Sequence, residues 1–276
     1  MSVIQRVLPP EPPPPALAAG WSASRIIGHL FLAIWIAGSV ALFLFLVGSY
    51  DSQKMIQYGP GYLSGLWITL QLVIISVVLG AILSVPVALG RMSTNKVFGA
   101  LAYVYVYFFR GTPLIAQLFL IYYGLGQFRG ALETVGLWTF FREPWYCALF
   151  AFTLNTAAYQ AEILRGAIAS VPVGQHEGAA ALGLPRNVTF RKIILPQAMM
   201  VALRPYGNEI ILMIKGSAIV SIITVFDLMG ETRRAFSRTF DFQTYLWAAV
   251  FYLLIVEALR NLWAVLERRL TRHLKR

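Results

Sequence analysis

Apolar residues run along this chain in long blocks, separated by short stretches where Arg, Lys, Pro and Gly collect. A helix needs about 20 predominantly apolar residues to cross the hydrocarbon of a bilayer. Six blocks qualify or nearly so: 26–48, 63–90, 97–124, 145–167, 198–225 and 243–264. None alternates with the period of two that a membrane β-barrel strand requires, so all six are predicted as helices. The second is long enough to tilt, and Pro86 near its end predicts a kink. The expected fold class is an all-α polytopic membrane protein with about six transmembrane helices.

Charge orients them. If the N-terminus is cytoplasmic, fourteen of the 23 Lys and Arg residues fall on the inside, with Arg165 and Arg260 counted there. Six fall outside, and Arg110, Arg204 and Lys215 lie within apolar runs. The excess of basic residues on cytoplasmic loops therefore predicts both termini inside, with 168–197 on the same side. Composition agrees: 13% of residues are charged, against about 25% in soluble domains. The net charge of +11 lies between apolar runs rather than along one face, so basic loops explain it better than a nucleic-acid partner. A single cysteine, Cys147, rules out an internal disulfide framework and reads as a small buried hydrophobe. Pro9, Pro10 and Pro12–Pro15 interrupt the N-terminal stretch before any apolar core develops, so it is expected to be a disordered tail rather than a secretory signal.

The segment "EGAAALGLPRNVTFRKIILP", 177–196, is small, polar and basic where its surroundings are apolar. "HEGAAALG" favours a helix apart from Gly178, Gly183 suits the left-handed residue that ends one, and Pro185 suits the start of another. A helix, a turn and a second short helix outside the membrane are predicted. Ala179, Ala180 and Ala181 leave room for a partner's surface, and Glu177 remains available to it. Two readings stand on these residues alone, a docking element and a plain connecting loop.

Glu177, Gly178 and Ala179, then Gly183, then Ile193, Leu195 and Pro196 fall at the spacing of a known signature. It is the EAA-type loop found in membrane subunits of ATP-binding-cassette importers, which this segment resembles. The departure is Gly178 where that pattern has Ala. "FRGTPLIAQL" (109–118), "AFTLNTAAYQAEILRGAI" (151–168) and "NEIILMIKGSAI" (208–219) are similar to permeases for polar amino acids. Together these strings most resemble the second membrane subunit of importers for histidine, lysine, arginine and ornithine, a pattern shared with opine permeases. The resemblance implies a five-helix permease core with one extra N-terminal helix, in a bacterial inner membrane. It implies that Glu177, Gly178, Ala179, Ala180, Gly183, Ile193, Leu195 and Pro196 form the coupling element for an ATPase. The other partners implied are a second, related permease subunit and an external solute-binding protein. ATP and Mg would then be held by the ATPase, and this chain would be neither an enzyme nor a cofactor holder.

Ionisable groups at membrane depth usually face a bundle interior or a cavity. Arg110 lies deep in its block just before Gly111 and Pro113, which together predict a helix break. Freed backbone there must be buried or line a wet cavity. Arg110 is thus either part of a translocation path or paired with Glu162 or Glu209 to fix packing. Asn155, Tyr159 and Glu162 follow the i, i+4, i+7 pattern and share a face suited to a polar or cationic substrate, or to joining helices. Asn208, Glu209 and Lys215 are path candidates by resemblance alone. Arg204 is expected to snorkel, and Glu257 to pair with Arg260. His29, His176 and His273 are scattered, with no metal-ligand spacing, and no phosphate-binding loop is present.

The expected layout is a proline-rich tail (1–25), an extra helix (26–50), a permease domain (60–266) containing the coupling loop 168–197, and a basic tail (267–276). The expected function is a permease subunit of an ATP-dependent importer of polar amino acids of the basic type (histidine, lysine, arginine, ornithine) or opines, working by alternating access. The alternative is an ion-gradient-driven secondary amino-acid transporter, and a third class is a membrane scaffold that moves nothing.

Overall fold

In the computed structural model, residues 21–48 and 50–272 are described, so the proline tract and residues 273–276 lie outside the described residues. The chain divides at Asp51 into two units. The first contains helix α1, Ala23–Gly48, 26 mostly apolar residues in one run.

The second unit begins with α2, Ser52–Arg91, whose 40 residues span about 60 Å and contain both Pro60 and Pro86. Helix α3, Lys96–Gly111, starts where the Asn95 side chain accepts the Val97 and Phe98 N–H groups. It is followed by α4, Leu114–Phe119, which runs on through a π turn, Leu120–Gly124. Two short helices, α5 (Arg129–Thr134) and α6 (Trp138–Phe141), lead to α7, Pro144–Ala169. Next come α8 (Val173–Ala181) and α9 (Arg186–Thr189), then a second π turn, Phe190–Ile194. Helix α10, Leu195–Ser217, passes into a 3-10 turn, Ala218–Ile223. The chain ends with α11 (Leu228–Thr239) and α12 (Gln243–Leu270).

Among the described residues four helical runs are long and apolar enough to cross a membrane: α1, α2, 186–223 and α12. The bent α3–α4 pair makes a fifth. Helix α7, the sixth span expected from the hydropathy pattern, has the length but not the apolarity. The reason is its position. It packs along α2 and touches α3, α4 and α10, and twelve of its 26 residues are buried, including Asn155, Thr156 and Gln160. A helix surrounded by protein has no need of a lipid-like surface.

Lipid tails are as apolar as Leu, so helices in a membrane are held by close packing and hydrogen bonds rather than by hydrophobic expulsion. The α2–α7 contact shows this. Ala148, Ala151, Ala157, Ala158 and Ala161 of α7 are fully buried. A Cβ on Gly80 of α2 would stand 2.5 Å from Thr156 Cγ2. Around this seam, Leu72, Val73, Leu118, Phe152, Met213 and Ile223 form the main core cluster. A smaller cluster of Ala167, Val171, Ile194, Ala198 and Ala202 fastens the 168–197 loop to the ends of α7 and α10.

Helix α11 is set against α2 by its cap. The Asp227 side chain accepts Gly230 N–H at 2.8 Å, and Leu228 N–H donates to Thr69 Oγ1 at 3.1 Å. Gly65 is required there, because a Cβ would come within 2.7 Å of the Asp227 carbonyl oxygen. Trp263 of α12 locks onto α10 in the same manner, lying 2.4 Å from where a Gly207 Cβ would be and donating its indole N–H to Leu203 O at 2.8 Å.

Candidate coupling and translocation sites

The 168–197 loop folds as helix, turn, helix. Pro172 precedes α8, Gly183 ends it at φ +69°, and Leu184 N–H returns to Ala179 O at 3.0 Å. That return bond satisfies a carbonyl that the helix end would otherwise leave free. Pro185 then leads into α9. Ala179 alone of this helix is buried, while Glu177, Gly178, Ala180 and Gly183 are exposed. Ile193 and Leu195 are half-buried beside buried Ile194, and Pro196 is exposed, so the second half of the motif anchors the loop to the bundle. Three further residues give the outward surface character. Leu182, after α8, is 77% exposed, and His176 and Arg186 help line a groove of about 380 Å³ with Ala180, Leu184 and Phe190. Sequence spacing gives no signal for Leu182, which lies three residues after Ala179 in helical phase with it and is exposed because the helix ends at Ala181.

The predicted helix break is present. The chain turns by 107° between α3 and α4. Thr112 is extended, and Gln117 reaches back to fill the gap, its Nε2 donating to Phe109 O (2.9 Å), Thr112 O (3.1 Å) and Thr112 Oγ1 (2.8 Å). Asn155 Nδ2 donates to Gln117 Oε1 at 2.9 Å and to Phe109 O at 3.1 Å. The carbonyls freed at membrane depth thus find buried amides rather than open cavity. Asn155 is 6% exposed and bound up in this brace.

Tyr159 and Glu162, one and two turns further along α7, do reach open space. With Arg110, Ile163, Gly166, Val201 and Pro205 they line a cavity of about 360 Å³. Arg110 lies over the Tyr159 ring, 5.2 Å from its centroid. Glu162 carries most of the local electrostatics. Arg165 Nη2 donates to its Oε2 at 2.7 Å, Arg91 Nε donates to its Oε1 at 2.9 Å, and Arg110 Nη1 stands 3.8 Å from Oε2. One carboxylate therefore faces three guanidinium groups, and the balance of the site is positive. The sequence counts Arg91 and Arg165 only among the inside basic charges, Arg165 near the inner end of its span. The Arg165 pairing is legible as an i, i+3 contact, whereas Arg91 lies 71 positions away with nothing local to announce it.

The other candidates sit elsewhere. Glu209 is buried and accepts from Thr156 Oγ1 at 3.0 Å, on a different side of α7 from Glu162. Asn208 and Lys215, also on α10, are exposed, as is Gly111. Pro113 precedes α4 as its capping residue. Arg204 pairs with Glu267, and Arg260 with Glu257 at 2.7 Å. At the far end of the bundle from the 168–197 loop, Lys54 donates to Asp241 at 2.7 Å and holds that carboxyl below the usual range. Among the described residues no cluster of His, Cys, Asp or Glu could hold a metal ion.

Comparison with known proteins matches this architecture. Residues 76–272 fit the family described as binding-protein-dependent transport system inner membrane component. The chain is 45% identical to the nopaline transport system permease protein NocM of Agrobacterium fabrum, over 82% of this chain and 94% of that protein. It is 41% identical to the histidine/lysine/arginine/ornithine transport system permease protein HisM of Escherichia coli, over 82% and 96%. A solved amino acid ABC transporter superposes with a TM-score of 0.72 at 36% identity, covering 80% of this chain and 99% of that one. The inward-facing MetNI methionine ABC transporter shares the fold, with a TM-score of 0.64 at 20% identity. By family match, by relatives aligned almost end to end and by fold, this chain belongs to the inner-membrane permease components of binding-protein-dependent ABC transport systems.

Proposed function

We propose that this chain is one permease subunit of a bacterial inner-membrane importer for basic amino acids or opines, powered by an ATPase on other chains. The observation that carries the proposal is the 168–197 loop. Its buried Ala179 and half-buried Ile193 and Leu195 fix it to α7 and α10, while Glu177, Gly178, Ala180 and Leu182 face outward with small side chains and one apolar knob. A rigid element anchored on two spanning helices transmits displacement from its outer surface to both. In the proposed orientation both termini and this loop are cytoplasmic, a second related permease subunit completes the pore, and a solute-binding protein docks outside. ATP and Mg act on the ATPase. For that cycle to work, ATP must favour one permease conformation over the other.

The cavity at Arg110, Tyr159 and Glu162 supports the cargo assignment. Arg110 is 44% exposed and presents a guanidinium to the cavity, the group best suited to bind a carboxylate in a forked pair. Glu162 is already occupied by Arg165 and Arg91, so a cationic side chain reaches it only by displacing an arginine. In this state the site therefore favours the carboxylate end of an amino acid, and opines, which carry additional carboxylates, suit it at least as well. Nothing in the structure favours a gradient-driven carrier.

The test is to solubilise the tagged protein gently from native membranes and identify what accompanies it. An ATPase and a second permease at fixed stoichiometry are expected. A protein that purifies alone and still transports after reconstitution would overturn the proposal.

A further inference from the structure

A second cavity, of about 520 Å³, opens among α2, α7, α10 and α12, away from Arg110 and Glu162. Its walls include Ala81, Val85 and Leu89 of α2, Leu164 of α7, Met199 of α10 and Trp263 of α12. No charged residue lines it. Its polar groups are Ser84, Tyr206 and Gln160, and Ser84 Oγ donates to Ala81 O at 2.8 Å. Gln160 gives its Nε2 to Val77 O and Thr156 Oγ1, leaving Oε1 as a lone unpartnered acceptor. One acceptor in an apolar hollow cannot hold a charged amino acid. The volume falls in the range of about 300–1,000 Å³ typical of ligand sites.

We infer that this cavity holds one acyl chain of an anionic phospholipid taken from the surrounding bilayer. Three of the helices that frame it belong to runs apolar enough to span a membrane, so hydrocarbon is the medium at its mouth. Val85, Leu89 and Met199 line it and are also substantially exposed, which gives a chain a lateral way in. Charge at one end selects the headgroup. Phe190 lines the cavity, and the next two residues, Arg191 and Lys192, are exposed cations on the π turn that enters α10. Basic residues beside a pocket between spanning helices suit an acidic headgroup. The cavity face of α7 is 160, 164 and 168, whereas Tyr159, Glu162, Ile163 and Gly166 face the cargo cavity. A chain seated here fills the space between α2 and α10 and supports α7 from behind. The inference needs only the membrane setting and not the cargo assignment.

The test uses the full chain, with whatever subunits accompany it, in nanodiscs containing phosphatidylglycerol and phosphatidylethanolamine. A phosphatidylglycerol carrying a photoreactive diazirine in its acyl chain is the probe, and labelled peptides are mapped. Labelling of Met199, Leu164 or Trp263 is expected, reduced severalfold by excess phosphatidylglycerol and much less by phosphatidylethanolamine. Ala81→Phe, which fills the cavity, should lose that labelling severalfold. Ile82→Phe, on a neighbouring outward position that does not line the cavity, should keep it. Labelling confined to outward residues such as Ile82 and Val78, or a subunit crosslinked across the cavity mouth instead of lipid, overturns the inference. So does equal competition by the two phospholipids. If Ala81→Phe does not fold, the labelling map and the competition in the unaltered protein decide the matter. Transport by a protein that binds no lipid there would overturn this inference and leave the importer assignment standing.

Discussion

Glu162 draws three arginines because a carboxylate at membrane depth is costly alone and has enough lone pairs for several donors. Arg91 arrives from the end of α2, Arg110 from the end of α3 and Arg165 from the next turn of α7, so the cluster ties three helices as well as neutralising a charge. Removing the acid leaves the guanidinium groups facing one another. Breaking a fully buried pair costs about 3–5 kcal/mol, and partial exposure here lowers the expectation to about 1–3 kcal/mol. Glu162→Ala should therefore depress the thermal midpoint in detergent clearly, and Arg91→Ala should do so more than Arg165→Ala, since Arg91 bridges two helices and Arg165 lies on the same helix as Glu162. An unchanged midpoint in all three variants would show that the cluster does not join α2 to α7. At this scale the sequence was partly legible. Helical spacing placed Tyr159 and Glu162 together, but it also placed Asn155 on that face, and the structure commits Asn155 to bracing the 107° break with Gln117. Spacing reports which residues share a face and is silent on what stands opposite.

Among the elements, α8 and its turn follow from local chemistry, which is why their limits were legible from Gly183 and Pro185. Gly183 at φ +69° has open space around it, so the cost of a side chain there is purely conformational, about 1–2 kcal/mol. Gly183→Val should lower uptake severalfold while membrane insertion, followed by protease protection, stays normal. Gly178 also has open space, but inside a helix, so Gly178→Ala should strengthen α8 by about 1 kcal/mol and leave uptake equal or higher. Gly207 is the contrasting case. A Cβ there meets the Trp263 ring at 2.4 Å, and Gly207→Ala should reduce the yield of folded protein sharply. Equal behaviour of Gly178→Ala and Gly207→Ala on size-exclusion chromatography would contradict the packing described. Helix α7 marks the limit of hydropathy. Its block was recognised as an element, but its polar and small residues record contacts with four other helices that no window of sequence contains.

Over the whole molecule, the strings that resemble the family run from Glu177 on the 168–197 loop to Arg110 at the Tyr159–Glu162 cavity, the two ends of the proposed mechanism. The opposite end of the bundle is held partly by charge. Lys54 keeps the Asp241 carboxyl below its usual range, so this pair stabilises the fold at neutral pH. Its contribution is full above the carboxyl's unfolded value near 4 and is lost as pH falls through the lower folded value. Both side chains are partly exposed, so the effect is well under about 1 kcal/mol. Asp241→Asn should reduce stability slightly at pH 7 and not at pH 2.5, and a loss of equal size at both would refute the pairing. The proposed division of labour between chains rests on the motif, because a surface of small residues has no chemistry of its own until its partner is known. The direct measurement is uptake of radiolabelled arginine and of nopaline into proteoliposomes holding the complete complex and its binding protein, with ATP inside. Uptake of one or both should require ATP, survive a protonophore and be lost in Glu177→Lys. Uptake that stops with the protonophore, or proceeds without ATP, or is untouched by Glu177→Lys, would contradict the account.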